Sequence, residues 1–306
     1  MTDLDLPIVN FLRENGLESS ERKALAGDAS FRRYERITHN GKDYVLMIAP
    51  PDKEDTRPFI KVAAILRENG LNAPQIIASD VERGFLLLED FGDNLYSKIL
   101  QAEPEKELEL YQAAIEVLDN LPAEADLPPY DMAKFHREVI TFVDWFATDC
   151  NREEFWKIWE DILRGLQDAP KMVMLDYHAD NLIWLPERAG LAKVGLLDFQ
   201  DAVIGHAAYD YVSLLEDARR DVSPQTVEQI LANKDEEFLR NYYILGAQRN
   251  CKIIGYFHRL KKRDGKDNYL KFLPRVWNHL RKDIEHPALA TLKNWLEDNI
   301  GEELAA

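Results

Sequence analysis

Two apolar runs around a tight polar cluster constrain this chain more than any other feature: KMVMLDYHADNLIWL at residues 171–185, then VGLLDFQDA at 194–202. The cluster holds Asp176, His178, Asp180 and Asn181; five positions separate Asp176 from Asn181, and seventeen separate Asn181 from Asp198. The bland reading is a polar loop between two strands. The functional reading gives one carboxylate a proton to handle, while the amide and the later carboxylate hold a metal ion. Phosphoryl transfer asks for little more, since it needs the acceptor hydroxyl oriented, its proton taken and the phosphates neutralised. An Asp heading a tight loop faces the acceptor, and an Asn five residues on faces the metal. Asp198 on the neighbouring strand then completes a hard-oxygen ligand set suited to magnesium. Taken singly, Asp176 reads equally well as a turn or helix-capping residue.

The rest of the chain frames this island. Residues 1–16 have helical spacing and stop at Gly16. RKALAGDASFRRYERIT and DYVLMIAPP read as two strand-like runs joined by HNGK, whose Asn-Gly is a strong hairpin signal. TRPFIKVAAILRENG reads as a helix ended by Gly70, followed by strands in APQIIASD and RGFLLLEDFG. From residue 104 onward helical patterns such as PEKELELYQAAIEVLDNL and NREEFWKIWEDILRGL dominate, apart from the island at 171–200. The order predicts an α+β fold of two lobes with a cleft between them: residues 1–92, an N-terminal antiparallel sheet with one main helix, and 93–306, larger and mainly helical.

Composition narrows the function. With 306 residues, 46% of them hydrophobic, the chain buries a substantial core. A formal net charge of −17 argues against nucleic acid or anionic membrane as general partners. No run approaches the roughly 18 apolar residues of a membrane helix. The acidic start reads as an amphipathic helix rather than a secretory leader. Cys150 and Cys251 lie far apart, which suits a reducing cytoplasm. No protein partner is implied.

The stretch DYHADN with LLDF resembles the catalytic and metal-binding loops of the protein-kinase-like fold. It is most similar to the small-molecule branch of aminoglycoside and choline phosphotransferases, and LLDFQDAVIGHAAYDYVSLL continues the likeness. The resemblance implies an ATP- and Mg²⁺-dependent kinase acting on a small sugar or alcohol. Asp176 would be the catalytic base, Asn181 and Asp198 the magnesium ligands, and Asp210 a brace for the catalytic loop. The turn at Gly27, Asp28, Ala29 and Ser30 would cover the ATP phosphates with backbone N–H groups and a hydroxyl, although an ordinary β-turn reads the same way. Backbone around Leu88, Glu89 and Asp90 would meet the adenine edge.

Two departures stand out. Met47 occupies the position of the strand Lys that grips the phosphates, so a cation must come from Arg32, Arg33 or Lys61; Arg33 and Lys61 are the expected sources. Met174 and Leu175 replace the His and Gly or Arg that precede the base. At finer grain, AGDASFRRY, MIAPP, GFLLLEDFGD and DYHADNLIWL resemble the bacterial anomeric sugar kinases of cell-wall recycling, which also lack the strand Lys. The resemblance spans about residues 25–220. It implies phosphorylation of N-acetylmuramate or N-acetylglucosamine at the C1 hydroxyl. The alternatives are an aminoglycoside, choline or other small-alcohol kinase, a nucleotide-binding pseudokinase, and an unrelated α+β domain. Tyr256, His258, Arg259 and Trp277 lie in a basic, aromatic stretch that reads either as an acceptor site or as a solvated helix face over a buried stripe.

Overall fold

The computed structural model describes residues 5–25, 31–166 and 170–305. Along the chain come α1 (Asp5–Glu14), β1 (Glu21–Ala24), β2 (Arg33–His39), β3 (Lys42–Ile48), α2 (Arg57–Glu68), β4 (Ile76–Asp80), β5 (Phe85–Glu89) and α3 (Tyr96–Ala102). Next are α4 (Glu107–Asp119), α5 (Met132–Val139), α6 (Thr141–Trp145), α7 (Arg152–Leu163), β6 (Pro170–Val173), β7 (Leu182–Trp184), β8 (Val194–Leu196) and β9 (Val203–His206). Then follow α8 (Ala208–Leu215), α9 (Pro224–Leu231), α10 (Glu236–Asp264), α11 (Leu273–Asp283) and α12 (Ala290–Ala305).

These elements form two compact units. One is the chain up to Lys106 together with Asp180–Asp201; the other is Glu107–Ala179 with the residues from Ala202 onward. This division differs from the sequence break at 92–93 for a local reason. The β7–β8 hairpin bonds to the first unit through bridges between Asn72 and Gly195 and between Leu95 and Ile183. Trp184 N–H also donates to Asn94 O at 2.8 Å, so α3 and the hairpin stay with the sheet.

The first unit is built on an antiparallel sheet of order β1-β2-β3-β5-β4. Asn40 and Gly41 both take positive φ, 51° and 74°, which closes the two-residue β2–β3 hairpin expected of Asn-Gly. The run at 22–38 is two strands rather than one: Glu21 pairs with Thr38 and Ala24 with Glu35. Alternation along β3 and β5 sorts the faces. Leu46, Ile48, Phe85 and Leu87 pack with Ile8, Phe11 and Leu12 of α1. Burying each such side chain contributes about 1.5–3 kcal/mol. Val45, Met47, Leu86 and Leu88 fall on the opposite face.

The second unit is mainly helical. Its longest helix, α10, is capped by Asp235, whose carboxylate accepts from Phe238 N–H at 2.7 Å, and it ends at Gly265 with φ 66°. A run of buried polar residues on α10, Gln248, Arg249 and Asn250, is unusual for a helix interior and marks a polar network. β6 pairs with β9, Val173 opposite Val203, so the island at 171–200 is not one strand–loop–strand unit. Its first strand belongs to a two-stranded sheet in the second unit, and β7 with β8 forms a hairpin in the first. Among the described residues, no helix is long and apolar enough to cross a membrane.

Candidate active site

The sequence DYHADN emerges from β6 under unusual backbone constraint. Leu175 has φ 70°, a region a leucine seldom enters, and Asp176 N–H donates back to Met174 O at 2.9 Å. Such a turn persists only where its surroundings hold it. Asp210, on α8, accepts from Met174 N–H at 2.6 Å through Oδ2 and from Leu175 N–H at 2.9 Å through Oδ1. Ser213 Oγ, one turn further along α8, donates to Leu175 O at 3.1 Å, and Arg249 donates to Ser213 Oγ at 3.0 Å. Asp210 therefore makes the bracing contacts expected of it. Met174 and Leu175, the two departures from the usual loop, are buried as packing residues.

Asp176 is exposed between buried Leu175 and Tyr177. Tyr177 OH donates to Ala114 O at 2.8 Å, which fixes the loop from the other side. His178 is buried, and its Nε2 accepts from Arg219 at 3.1 Å. Burial, then Arg219 and Arg249, hold the His178 imidazole well below its usual range, so it stays neutral with its proton on Nδ1.

In the first unit, Asn181 ends a 3-10 turn just before β7. Leu182 opposes Leu196 across the hairpin, and Leu197 N–H donates to Asn181 O at 3.0 Å. Asn181 and Asp198 thus leave the same end of one hairpin, flanking that bond. Asp198 has φ 54°, a left-handed conformation that a short polar side chain tolerates better than most. Its Oδ1 accepts from Gln200 Nε2 at 2.9 Å and lies 3.8 Å from Arg32 Nη1. Among the described residues no group of three or more His, Cys, Asp or Glu is placed to hold a metal. One carboxylate and one amide oxygen remain adequate for Mg²⁺, which takes one or two protein oxygens and completes its shell with phosphates and water.

The expected nucleotide residues fare differently. Gly27, Asp28, Ala29 and Ser30 lie outside the described residues. Met47 is buried, paired across the sheet with Tyr34 and Leu86 on the neighbouring strands. Arg33 and Lys61 are exposed on β2 and α2, and Arg32 is the cation placed beside Asp198. Leu88 is buried within β5. Glu89 is ion-paired to Arg188 at 2.6 Å, and Asp90 to Arg36 at 2.5 Å. Any nucleotide contact at 88–90 therefore falls to backbone groups, and Glu89 N–H already donates to Gln75 O at 2.8 Å.

Tyr256, His258 and Arg259 lie on α10 and Trp277 on α11. His258 Nδ1 bonds Ile254 O, Trp277 is buried against Phe146, and Arg259 stacks on its neighbour Tyr256. These form the buried stripe and helix face of the plainer reading. Lys252, Glu138, Tyr130 and Tyr209, which the sequence reading did not single out, form a polar group in the second unit. Lys252 Nζ lies 2.9 Å from Glu138 Oε2 and 3.5 Å from Tyr209 OH, and Tyr130 OH donates to Glu138. Its sequence mark is a single charge in an otherwise uncharged helical segment, NCKIIG.

The profile of the phosphotransferase enzyme family (APH) matches residues 21–242. The chain belongs to this family. This phosphotransferase is 37% identical to an N-acetylmuramate/N-acetylglucosamine kinase of Caulobacter vibrioides, over 94% of each chain. Among solved structures it is similar to choline kinase LicA from Streptococcus pneumoniae, with TM-score 0.65 and 14% identity over 90% of this chain and 99% of that one. LicA in complex with AMP gives TM-score 0.62 and 14% identity over 92% of this phosphotransferase and 100% of that chain. The expected α+β, protein-kinase-like fold is therefore the one observed.

Proposed function

We propose that this phosphotransferase transfers the γ-phosphoryl group of ATP to the anomeric hydroxyl of N-acetylmuramate or N-acetylglucosamine, in the cytoplasm, as part of cell-wall recycling. The observation that carries this reading is the near-complete alignment with the Caulobacter vibrioides kinase of that name. The AMP complex of LicA supports an adenine nucleotide as donor. Two free cysteines are consistent with a reducing compartment.

In this reading the C1 oxygen attacks the γ-phosphorus as the bond to the ADP oxygen breaks, giving sugar 1-phosphate and ADP. Asp176 orients the hydroxyl and takes its proton, which passes on to water. The turn held by Asp210, Ser213 and Arg249 sets the direction of Asp176. Asn181 and Asp198 would hold Mg²⁺, which supplies charge neutralisation at the β- and γ-phosphates when bound. Gly27, Asp28, Ala29 and Ser30 cover the phosphates, and backbone at Leu88, Glu89 and Asp90 receives the adenine. The phosphate cation comes from Arg32, Arg33 or Lys61, and the ion pair with Asp198 favours Arg32.

The test is ADP release with N-acetylmuramate, N-acetylglucosamine, kanamycin and choline, together with loss of the reducing end in the sugar products. Turnover with both sugars and none with kanamycin or choline is expected. Turnover confined to kanamycin or choline would replace the substrate class, and nucleotide binding without turnover on any of them would make the chain a pseudokinase.

A further inference from the structure

Lys252 is a half-buried lysine of α10, ion-paired to Glu138 at 2.9 Å. Glu138 and Tyr209 accept from its ammonium, which leaves one of its three donors without an acceptor among the described residues. The side chain keeps 29% of its exposure. Two contacts fix its direction. Tyr209 is the residue next to Asp210, which grips the turn before Asp176. Arg249, three residues back and hence on the same face of α10, reaches that turn through Ser213. α10 therefore turns an Arg and a Lys toward one loop: Arg249 supports the backbone, and Lys252 is left over. Burial works against its charge, but Tyr209, Glu138 and Asp176 together raise its pKa, so it remains an ammonium.

We infer that Lys252 is the acceptor-side donor of the site, hydrogen-bonding an uncharged oxygen beside C1 that N-acetylmuramate and N-acetylglucosamine share. This rests on the sugar-kinase reading above and extends it to a specificity residue. Charge decides against the lactyl carboxylate as the group recognised. Lys252 is already matched by Glu138, and Asp176 adds a second negative charge nearby, so the surroundings repel an anion. Glu138, held by Tyr130, fixes the ammonium in place rather than touching the sugar.

The experiment measures kcat and KM for both sugars and for ATP in the wild type, Lys252→Met, Lys252→Arg and Glu138→Gln, with a thermal melt of each. Loss of one charged hydrogen bond predicts a rise of about 10- to 100-fold in the KM of both sugars for Lys252→Met, by the same factor for each. The KM for ATP stays unchanged. Lys252→Arg recovers most of the sugar affinity, and Glu138→Gln, which keeps the ammonium, loses less than Lys252→Met. An unchanged sugar KM in a folded Lys252→Met overturns the assignment, as does an effect confined to N-acetylmuramate. So does Glu138→Gln matching Lys252→Met, which would make the pair merely structural. Where the wild type turns over the sugars, these outcomes concern Lys252 alone; a wild type inactive on both sugars overturns the sugar reading and this assignment with it.

Discussion

Arg32 Nη1 lies 3.8 Å from Asp198 Oδ1 in the first unit, while the same guanidinium reaches Glu54 Oε2 at 3.2 Å. The side chain is only 12% exposed. Burial opposes its charge, yet Tyr34, Glu54, Asp198 and Asp201 raise its pKa above the ordinary value. A cation beside the proposed magnesium ligand, in a chain with Met at the strand position, is well placed to meet a triphosphate.

Arg32→Met is accordingly expected to lower kcat/KM for ATP by roughly 10- to 100-fold, the scale of one lost charge-assisted hydrogen bond. Arg33→Met and Lys61→Met, at exposed positions, should each fall by less. Steady-state kinetics with ATP as the varied substrate checks this. A larger loss in either of the latter would move the phosphate cation to that residue.

Asp176→Asn removes the proposed base while keeping its size. Turnover should drop by about 10²-fold or more, the scale of general base catalysis. Nucleotide affinity measured by calorimetry should change little, because the substitution leaves the phosphate and adenine contacts in place. Wild-type turnover in this variant would remove Asp176 from the chemistry.

Much of this was legible from the chain. The Asn-Gly pair, the alternation in DYVLMI and the capped helix at 57–68 depend on local rules, and the structure follows them. Asp176, Asn181 and Asp198 could be proposed from the chain because their spacing is encoded within one short stretch. Asp210 was legible only through the family resemblance, and the Lys252–Glu138 pair was not read from the chain at all. Asp210 touches the loop from 35 positions away, and Lys252 meets Glu138 from well over a hundred, so no periodicity connects them. Arg32 and Arg33 are adjacent in sequence, yet one is nearly buried in an ion pair and the other faces solvent. Arg32 lies just before β2, so strand alternation does not say which of the two meets Asp198. The division at 92–93 likewise followed composition, whereas the compact units follow hydrogen bonds that carry residues 180–201 back to the sheet.

The brace on the catalytic loop should be measurable apart from the chemistry. Asp210→Ala leaves the buried N–H groups of Met174 and Leu175 without their acceptor, at about 1–3 kcal/mol each. Leu175 would then leave its left-handed conformation, and Asp176 would lose its aim. A lowered melting temperature with a turnover loss approaching that of Asp176→Asn is expected. Ser213→Ala, which removes the bond to Leu175 O and the one from Arg249 but keeps both Asp210 bonds, should show a smaller version of both effects.

A buried acid pair gives the second unit a pH signature of its own. Asn250 Nδ2 donates to Glu216 Oε2 at 2.8 Å and to Asp283 Oδ2 at 2.9 Å, which draws the two carboxyl groups together away from water. Burial first, and then repulsion from Glu216, push the Asp283 carboxyl well above the usual carboxylate range. The native state therefore holds a proton that the unfolded chain releases above about 3.8. A folded pKa raised in this way contributes stability that is present below the unfolded value and lost as pH climbs through the folded one. The slope for one proton is at most about 1.4 kcal/mol per pH unit. Asp283→Asn keeps an acceptor for Asn250 and carries no charge. Urea unfolding between pH 5 and 9 should thus show the wild type losing stability relative to Asp283→Asn as pH rises. A stability difference between the two that is constant across that range would mean that Asp283 is ionised throughout it.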